Sequence, residues 1–331
     1  MSIVVSGIRP TGRLHLGNYF GAIRNFLRLQ NEHTCYFFIA DYHSLTTHPT
    51  PHDLAGNVLN VLAEFIGCGL DPDKATIYIQ SDLPETLELY LFFNMNAYLG
   101  ELMRVTTFKE KARKQPHNVN AGLLTYPTLM AADILIHKGE KVPVGKDQEQ
   151  HLEMTRNFAQ RFNRMYGVEY FPEPVAFNFE GELVKVPGLD GSGKMGKSEG
   201  EHNAIFLTDD DKTIEKKIMR AVTDAGPTQM NQPPSPPVAN LFALMAIVSA
   251  PETVEYFKEQ HATCKIRYGE MKKQLAKDMI TFITPIRENI FSVQNNRDFL
   301  IKIVRQGREK AKASAQKTIK EVREIIGFKT W

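Results

Sequence analysis

Short apolar runs of strand length alternate with helical repeats through the first hundred residues, and this alternation limits the fold more than any other feature. Ile3 to Val5 is a β-branched run, and Tyr19, Phe20, Ile23, Phe26 and Leu27 follow at helical spacing. Cys35 to Ala40 is apolar and aromatic, as a buried strand would be. Leu54, Val58, Val61, Leu62, Phe65 and Ile66 then keep the i, i+4, i+7, i+8 rule of an amphipathic helix. Thr76 to Ile79 reads as another strand, and Pro84 opens a helix carrying Leu87, Tyr90, Leu91, Met95 and Tyr98. Strand, helix, strand, helix predicts an α/β fold with a parallel sheet and crossover helices. Right-handed crossovers put ligands at the carboxyl ends of such strands.

The rhythm stops at Asp224 to Pro237, where Pro227, Pro233, Pro234, Pro236 and Pro237 crowd fourteen residues. Neither a helix nor a central strand survives that density. Beyond it the pattern is helical to the end. A length of 331 residues suits about two domains, and the boundary is expected between 1–224 and 225–331. The last stretch, 302–331, carries nine Lys or Arg against three Glu. It reads either as a solvated helix face or as a contact to a polyanion.

Composition closes off other classes. Hydrophobic residues make up 42% and charged residues 24%, ample for a packed core and unlike a disordered chain. The net charge of +2 gives no wholesale basic coat for nucleic acid, which leaves room only for a local patch. Cys35, Cys68 and Cys264 form no Cys-x-x-Cys pair, so neither a disulfide framework nor a zinc ribbon is expected. No run reaches the ~18 apolar residues of a membrane span, and the first residues have no basic start or long apolar core. A cytoplasmic protein with no membrane partner is expected.

Two segments carry chemistry. The first is the glycine-dense stretch Gly188 to Gly200, which contains Lys194, Lys197 and Ser198. Glycines let backbone amides approach a phosphate, and lysines bring positive charge. Gly191 to Ser198 also fits the P-loop expression, but a P-loop must lead from a strand into a helix. Here Pro187 and Gly188 break the strand and Gly200 interrupts the helix. The second segment is Pro10-Thr11-Gly12-Arg13-Leu14-His15-Leu16-Gly17-Asn18, just after the first strand. Gly17 admits a ligand near the backbone, and His15 and Asn18 can donate to phosphate at a helix start.

His15-Leu-Gly-Asn18 resembles the "HIGH" element of class I aminoacyl-tRNA synthetases, and Lys194-Met-Gly-Lys-Ser198 resembles their "KMSKS" element. Within that class the likeness is closest to the bacterial tryptophanyl-tRNA synthetases. The runs from Gly100 to Lys111, Gly122 to Leu135, Val142 to His151 and Lys216 to Asp224 resemble further blocks of that family in the same order. The resemblance covers essentially the whole chain. It implies a Rossmann-like, doubly wound parallel-sheet catalytic domain followed by an all-helical C-terminal domain that binds tRNA.

The resemblance also implies the reaction and its residues. ATP activates L-tryptophan as tryptophanyl-adenylate, releasing pyrophosphate, and the tryptophanyl group then passes to tRNA(Trp). Mg²⁺ accompanies ATP. Lys194, Lys197 and Lys111 would be catalytic, holding the pyrophosphate. Arg9, Pro10, Thr11, His15, Gly17 and Asn18 would meet the nucleotide. Gly145, Lys146 and Asp147 would line its adenosine side, Val186 and Met195 would supply backbone near adenine, and Gly196 and Ser198 complete the lysine loop. A buried indole N–H wants one acceptor. The family likeness gives that role to Asp133, which from helix pattern alone reads as a helix-end ion pair. Tyr126 and Gln148 would hold the α-amino group, and Val5, His43, Met130, Val142 and Val144 would wall the ring. A homodimer is implied.

The chain departs from the common pattern at Val5 (usually aromatic), Arg9 (usually glutamine), Lys146 (usually an acid) and Gly196 (usually serine). Scattered cysteines argue against the iron–sulfur cluster of some relatives. His43, His48 and His52 lack a fourth ligand for zinc. The rival readings are a tyrosyl enzyme of the same fold, a P-loop NTPase acting through Gly191 to Ser198, and an RNA-binding module resting on the basic tail.

Overall fold

The computed structural model describes residues 1–145, 148–177, 186–191, 193–196 and 200–329. By packing density the chain divides into two compact units. One comprises 1–12, 25–182 and 296–331; the other comprises 13–24 and 183–295.

The first unit is built on a five-stranded parallel sheet in the order β3-β2-β1-β4-β5. Its strands are β1 (Ile3–Ile8), β2 (Thr34–Ile39), β3 (Ala75–Ile79), β4 (Lys141–Val142) and β5 (Val175–Ala176). β1 pairs with β2 from Ile3 opposite Thr34 to Ile8 opposite Ile39, and with β4 at Val4 opposite Lys141. The strand order reverses its sense between β1 and β4, which is where a doubly wound sheet offers its ligand crevice. The expected α/β, Rossmann-like architecture is what the chain adopts.

The helices of this unit follow the sequence signals closely. The short α1 (Asp41–Ser44) leaves the end of β2. Next comes α2 (Pro51–Gly67), whose start is set by Thr50: its hydroxyl accepts the Asp53 N–H at 3.1 Å, with Pro51 in the first turn. There follow α3 (Pro84–Met95), α4 (Leu99–Arg104), α5 (Thr106–Lys114), α6 (Tyr126–Leu135) and α7 (Glu149–Tyr166). Val5, Phe38, Tyr78, Leu89, Ala131 and Leu135 belong to one buried cluster, joining sheet, α3 and α6.

The second unit holds α8 (Asp211–Arg220), α9 (Pro236–Val248), α10 (Pro251–Ala262) and α11 (Tyr268–Gln294). Its core gathers Leu16 and Phe20 with Met195, Phe206, Ile214, Leu241, Met271 and Met279. Phe20 stacks on Phe282 with ring centres 5.5 Å apart. Lys272, nearly buried, donates to the carbonyl of Ala221 at 2.7 Å, just past the end of α8.

The chain then returns to the first unit as α12 (Arg297–Ile326). Leu300, Ile303, Gly307, Ala311, Ala315, Ile319 and Val322 form its buried stripe. Gly307 lets the helix lie directly on β3: a Cβ there would stand 1.7 Å from the carbonyl oxygen of Ile77. Lys302, Arg305, Arg308, Lys310, Lys317, Lys320 and Arg323 lie on the exposed side. The two units therefore group the chain differently from a cut at 224/225. Helical periodicity says which face of α12 is buried, but not that the face is buried on a strand more than two hundred residues away.

Candidate functional site

In the first unit the chemistry gathers at the carboxyl ends of the strands. Pro127 sits in the first turn of α6, and its missing N–H is harmless there. The helix then carries Tyr126, Met130 and Asp133 on neighbouring turns. Asp133 is 1% exposed. One carboxylate oxygen faces Nε2 of His43 at 2.8 Å, and the other accepts from Nε2 of Gln80 at 2.7 Å. Burial raises the Asp133 carboxyl above its usual range, while the bonds from His43 and Gln80 pull it back. The side chain that helix pattern alone would seek as a partner for Asp133 is thus His43, at hydrogen-bond distance. It does not exhaust the group, because a carboxylate accepts about four hydrogen bonds.

His43, on α1, also lies against the Tyr126 ring at 4.4 Å between centres. Lys111, near the end of α5, sets its ammonium 4.4 Å from the centre of the same ring. Burial, and secondarily the charge of Arg9, lower the Lys111 pKa to about 8. Gln148 precedes α7, and its side-chain oxygen is 2.8 Å from Nδ1 of His151; the other ring nitrogen of His151 meets the Thr107 hydroxyl at 2.7 Å. Met130 and Val144 pack on a small cluster made of Ile134, Val142 and Leu152. Val5 is fully buried in the main core. Pro10 is buried, Arg9 and Gly145 are half-buried, and Thr11 is exposed with its N–H donating to the Arg9 carbonyl. A cavity of about 360 Å³ opens beside His43, lined also by Tyr42, Thr46, Tyr90, Asn120 and Thr125.

The second unit assembles the other two motifs. Residues 14–16 run antiparallel to 205–207: the Leu16 N–H donates to the Ile205 carbonyl at 2.9 Å and the Leu207 N–H to the Leu14 carbonyl at 3.0 Å. This pairing anchors the start of the helical turn Leu16–Asn18, where the Asn18 side-chain oxygen accepts the His15 N–H at 3.0 Å. Across from it the lysine loop is pinched shut by the Met195 N–H donating to the Val186 carbonyl at 2.8 Å, with both side chains buried. Gly17 joins the two motifs. A Cβ there would stand 3.0 Å from the His15 ring and 3.5 Å from the Met195 carbonyl oxygen, so the bare backbone keeps this approach open. Segments 178 residues apart in sequence, at Gly17 and Met195, thus meet, as the resemblance requires. Lys194 and Gly196 flank Met195 on the same loop.

Lys146, Asp147, Lys197 and Ser198 lie outside the described residues. After the lysine loop come Gly200, with φ of 103°, and a single 3₁₀ turn, Glu201–Asn203. A P-loop would need an established helix there.

Sequence reasoning missed Gln80, His151 and Thr107. Gln80 directly follows β3, and the rule that ligands sit at strand carboxyl ends was the signal for it. His151 stands one helical turn after Gln148, a spacing that brings the two side chains together.

The family model described as class I tRNA synthetases (W and Y) matches residues 1–284. A tryptophan–tRNA ligase of Porphyromonas gingivalis is 63% identical over 329 residues, spanning 99% of this chain and 100% of that protein. Among solved structures, tryptophanyl-tRNA synthetase from Campylobacter jejuni complexed with ADP and tryptophan gives a TM-score of 0.86 at 33% identity, covering 99% of this chain and 100% of that one. Tryptophanyl-tRNA synthetase from Mycoplasma pneumoniae gives 0.83 at 30% identity, covering 99% and 98%.

Proposed function

This chain belongs to the class I tRNA synthetases of the tryptophan and tyrosine group, and from that premise we propose that it joins L-tryptophan to tRNA(Trp) at the expense of ATP. End-to-end likeness to a tryptophan–tRNA ligase carries this reading. The buried Asp133, an acceptor on a mostly apolar helix, supports it. Tyrosine remains the rival amino acid, since a phenol can also use such an acceptor.

In the first step a carboxylate oxygen of tryptophan attacks the α-phosphorus of ATP. The bond from that phosphorus to the β-phosphate bridging oxygen breaks, and pyrophosphate leaves. In the second step a hydroxyl of the terminal ribose attacks the carbonyl carbon of the adenylate, and AMP departs. Little covalent work falls to the protein; positioning and charge do the rest. Lys194, Lys197 and Lys111 supply positive charge for the departing pyrophosphate. His15, Gly17 and Asn18 meet the nucleotide at a helix start, with Arg9, Pro10 and Thr11. Gly145, Lys146 and Asp147 take its adenosine side. The Met195 N–H is committed to Val186, so the backbone group Met195 can offer adenine is its carbonyl. Mg²⁺ arrives with ATP as part of the substrate.

Asp133 accepts the indole N–H, Tyr126 and Gln148 hold the α-amino group, and His43, Met130, Val142 and Val144 wall the ring. Val5, fully buried, contributes apolar surface from the core without stacking. The exposed side of α12 takes tRNA phosphates. A second copy of the chain covers the side chains Leu87, Leu91 and Met95 of α3 with Tyr98, Leu99 and Met103; Met95 alone is 76% exposed. Among the described residues no helix is long and apolar enough to cross a membrane, and the reading places the work in the cytoplasm.

The test is ATP–pyrophosphate exchange with each of the twenty amino acids in turn. Exchange that depends on tryptophan supports the proposal. ATP hydrolysis at full rate with no amino acid present would favour the P-loop reading instead.

A further inference from the structure

Gln80 closes a ring of hydrogen bonds around the acceptor of the proposed tryptophan pocket. It stands directly after β3 and is 1% exposed. Its Nε2 donates to one oxygen of Asp133 at 2.7 Å, and its Oε1 accepts the backbone N–H of Tyr42 at 3.0 Å. Tyr42 is the neighbour of His43 on α1, and His43 holds the other oxygen of Asp133 at 2.8 Å. The circuit runs from β3 to α6 to α1 and back to β3. Asp41 doubles the last link: one of its oxygens accepts the N–H groups of Tyr42 and Ser81, each at 3.0 Å.

The chemistry of the circuit selects a primary amide. An ionised carboxylate only accepts, and a backbone N–H only donates. The side chain between them must therefore present a donor to one and an acceptor to the other. Turned over, the same amide would put oxygen against oxygen and N–H against N–H, so one orientation alone satisfies both ends. A buried polar group left without its partner is costly, and that cost keeps the ring closed.

We propose that Gln80 is a positioning residue for amino-acid specificity: it fixes the plane of the Asp133 carboxylate so that a remaining lone pair meets the indole N–H. This rests on the reading of Asp133 as the indole acceptor. With both oxygens pinned from opposite sides, the carboxylate cannot rotate to follow a misplaced or smaller ring. A ring without an N–H then leaves a fixed acceptor unpaired, and such sites discriminate most strongly.

The experiment measures pyrophosphate exchange for the wild type, Gln80→Met, Asp133→Ala and the double variant, each with tryptophan and with phenylalanine. Gln80→Met keeps the side-chain length and removes both bonds. It should raise KM for tryptophan about tenfold or more, and narrow the preference for tryptophan over phenylalanine by a similar factor. The kcat at saturating tryptophan and KM for ATP should stay within about twofold. In the Asp133→Ala background the same change should have little further effect, because residues acting as one unit are not additive. Gln80→Glu keeps the acceptor for Tyr42 but sets a second carboxylate against Asp133. It gives the same KM readout if Gln80→Met does not fold.

Equal effects of Gln80→Met in both backgrounds, or a fall in kcat with KM for tryptophan unchanged, would overturn the proposal and leave Gln80 a core bracket. An unchanged amino-acid preference in Asp133→Ala alone would overturn the reading of Asp133, and this inference with it.

Discussion

The ammonium of Lys111 stands 4.4 Å from the centre of the Tyr126 ring. Ring and cation attract, yet the same enclosure strips water from the charge. With Arg9 adding repulsion, the Lys111 pKa falls to about 8. A lysine that neutralises pyrophosphate works only as the ammonium. Its activity should be full below about 8 and decline as pH rises through that value. Arg9→Gln removes the secondary cause and should move this alkaline limb upward, modestly, since burial is the larger cause. The kcat/KM for ATP, followed by exchange from neutral to alkaline pH, reads the shift. A limb that stays in place, or moves down, contradicts the assignment.

His137 should make the fold sensitive to acid. It is buried just past α6, with Nε2 3.0 Å from the Tyr78 hydroxyl, Nδ1 3.1 Å from the Ser314 hydroxyl, and Tyr36 stacked on its ring at 4.0 Å. Burial lowers its pKa from the ordinary histidine value of 6.5 to about 3. Between those values the unfolded chain binds a proton that the native protein refuses, so stability falls as pH drops below 6.5. By pH 5 this residue should cost ~2 kcal/mol. Urea unfolding at pH 7 and pH 5 should show that component in the wild type and its loss in His137→Gln. Equal pH dependence in both proteins would contradict it.

Gly307→Ala should loosen α12 from the sheet. The added Cβ would meet the Ile77 carbonyl oxygen at 1.7 Å, a backbone atom that cannot swing aside. Forced overpacking of this kind costs about 1–3 kcal/mol, occasionally more. A lower urea midpoint is expected. An unchanged midpoint would mean that α12 does not rest on β3 at this closeness.

Neutralising Lys312, Lys317 and Lys320 to Gln should weaken tRNA binding and flatten its salt dependence, with exchange unaffected. Lys310 is left in place because its ammonium donates to the Pro72 carbonyl at 2.9 Å. For every phosphate that a lysine no longer neutralises, the slope of log K against log salt should fall by roughly 0.7–0.9. An unchanged slope returns this side of α12 to a plain solvated face.

The strand–helix alternation was legible from the sequence because both periods are local. The strands at Ile3, Cys35 and Thr76 and the helices at Leu54 and Pro84 come from residues within a few positions of each other. The pairing of His15 with the lysine loop was legible only through family likeness, since no local rule joins Gly17 to Met195. Gln80 was hidden because one polar residue at a strand end looks like any other until the helix carrying Asp133 is laid beside it. α12 was legible as an amphipathic helix, but its seat on β3 depends on a missing side chain at Gly307, which a hydrophobic pattern records as nothing at all. β4 and β5 span two residues each, Lys141–Val142 and Val175–Ala176, too short for alternation to show.

On the proposed function this chain loads tryptophan, and no other amino acid, onto tRNA. Aminoacylation of an unfractionated tRNA pool, with each of the twenty labelled amino acids, tests it in one experiment. Acid-precipitable label is expected with tryptophan, dependent on ATP and Mg²⁺, and background with the other nineteen. Charging with tyrosine in place of tryptophan, or no charging while ATP is hydrolysed, would contradict it.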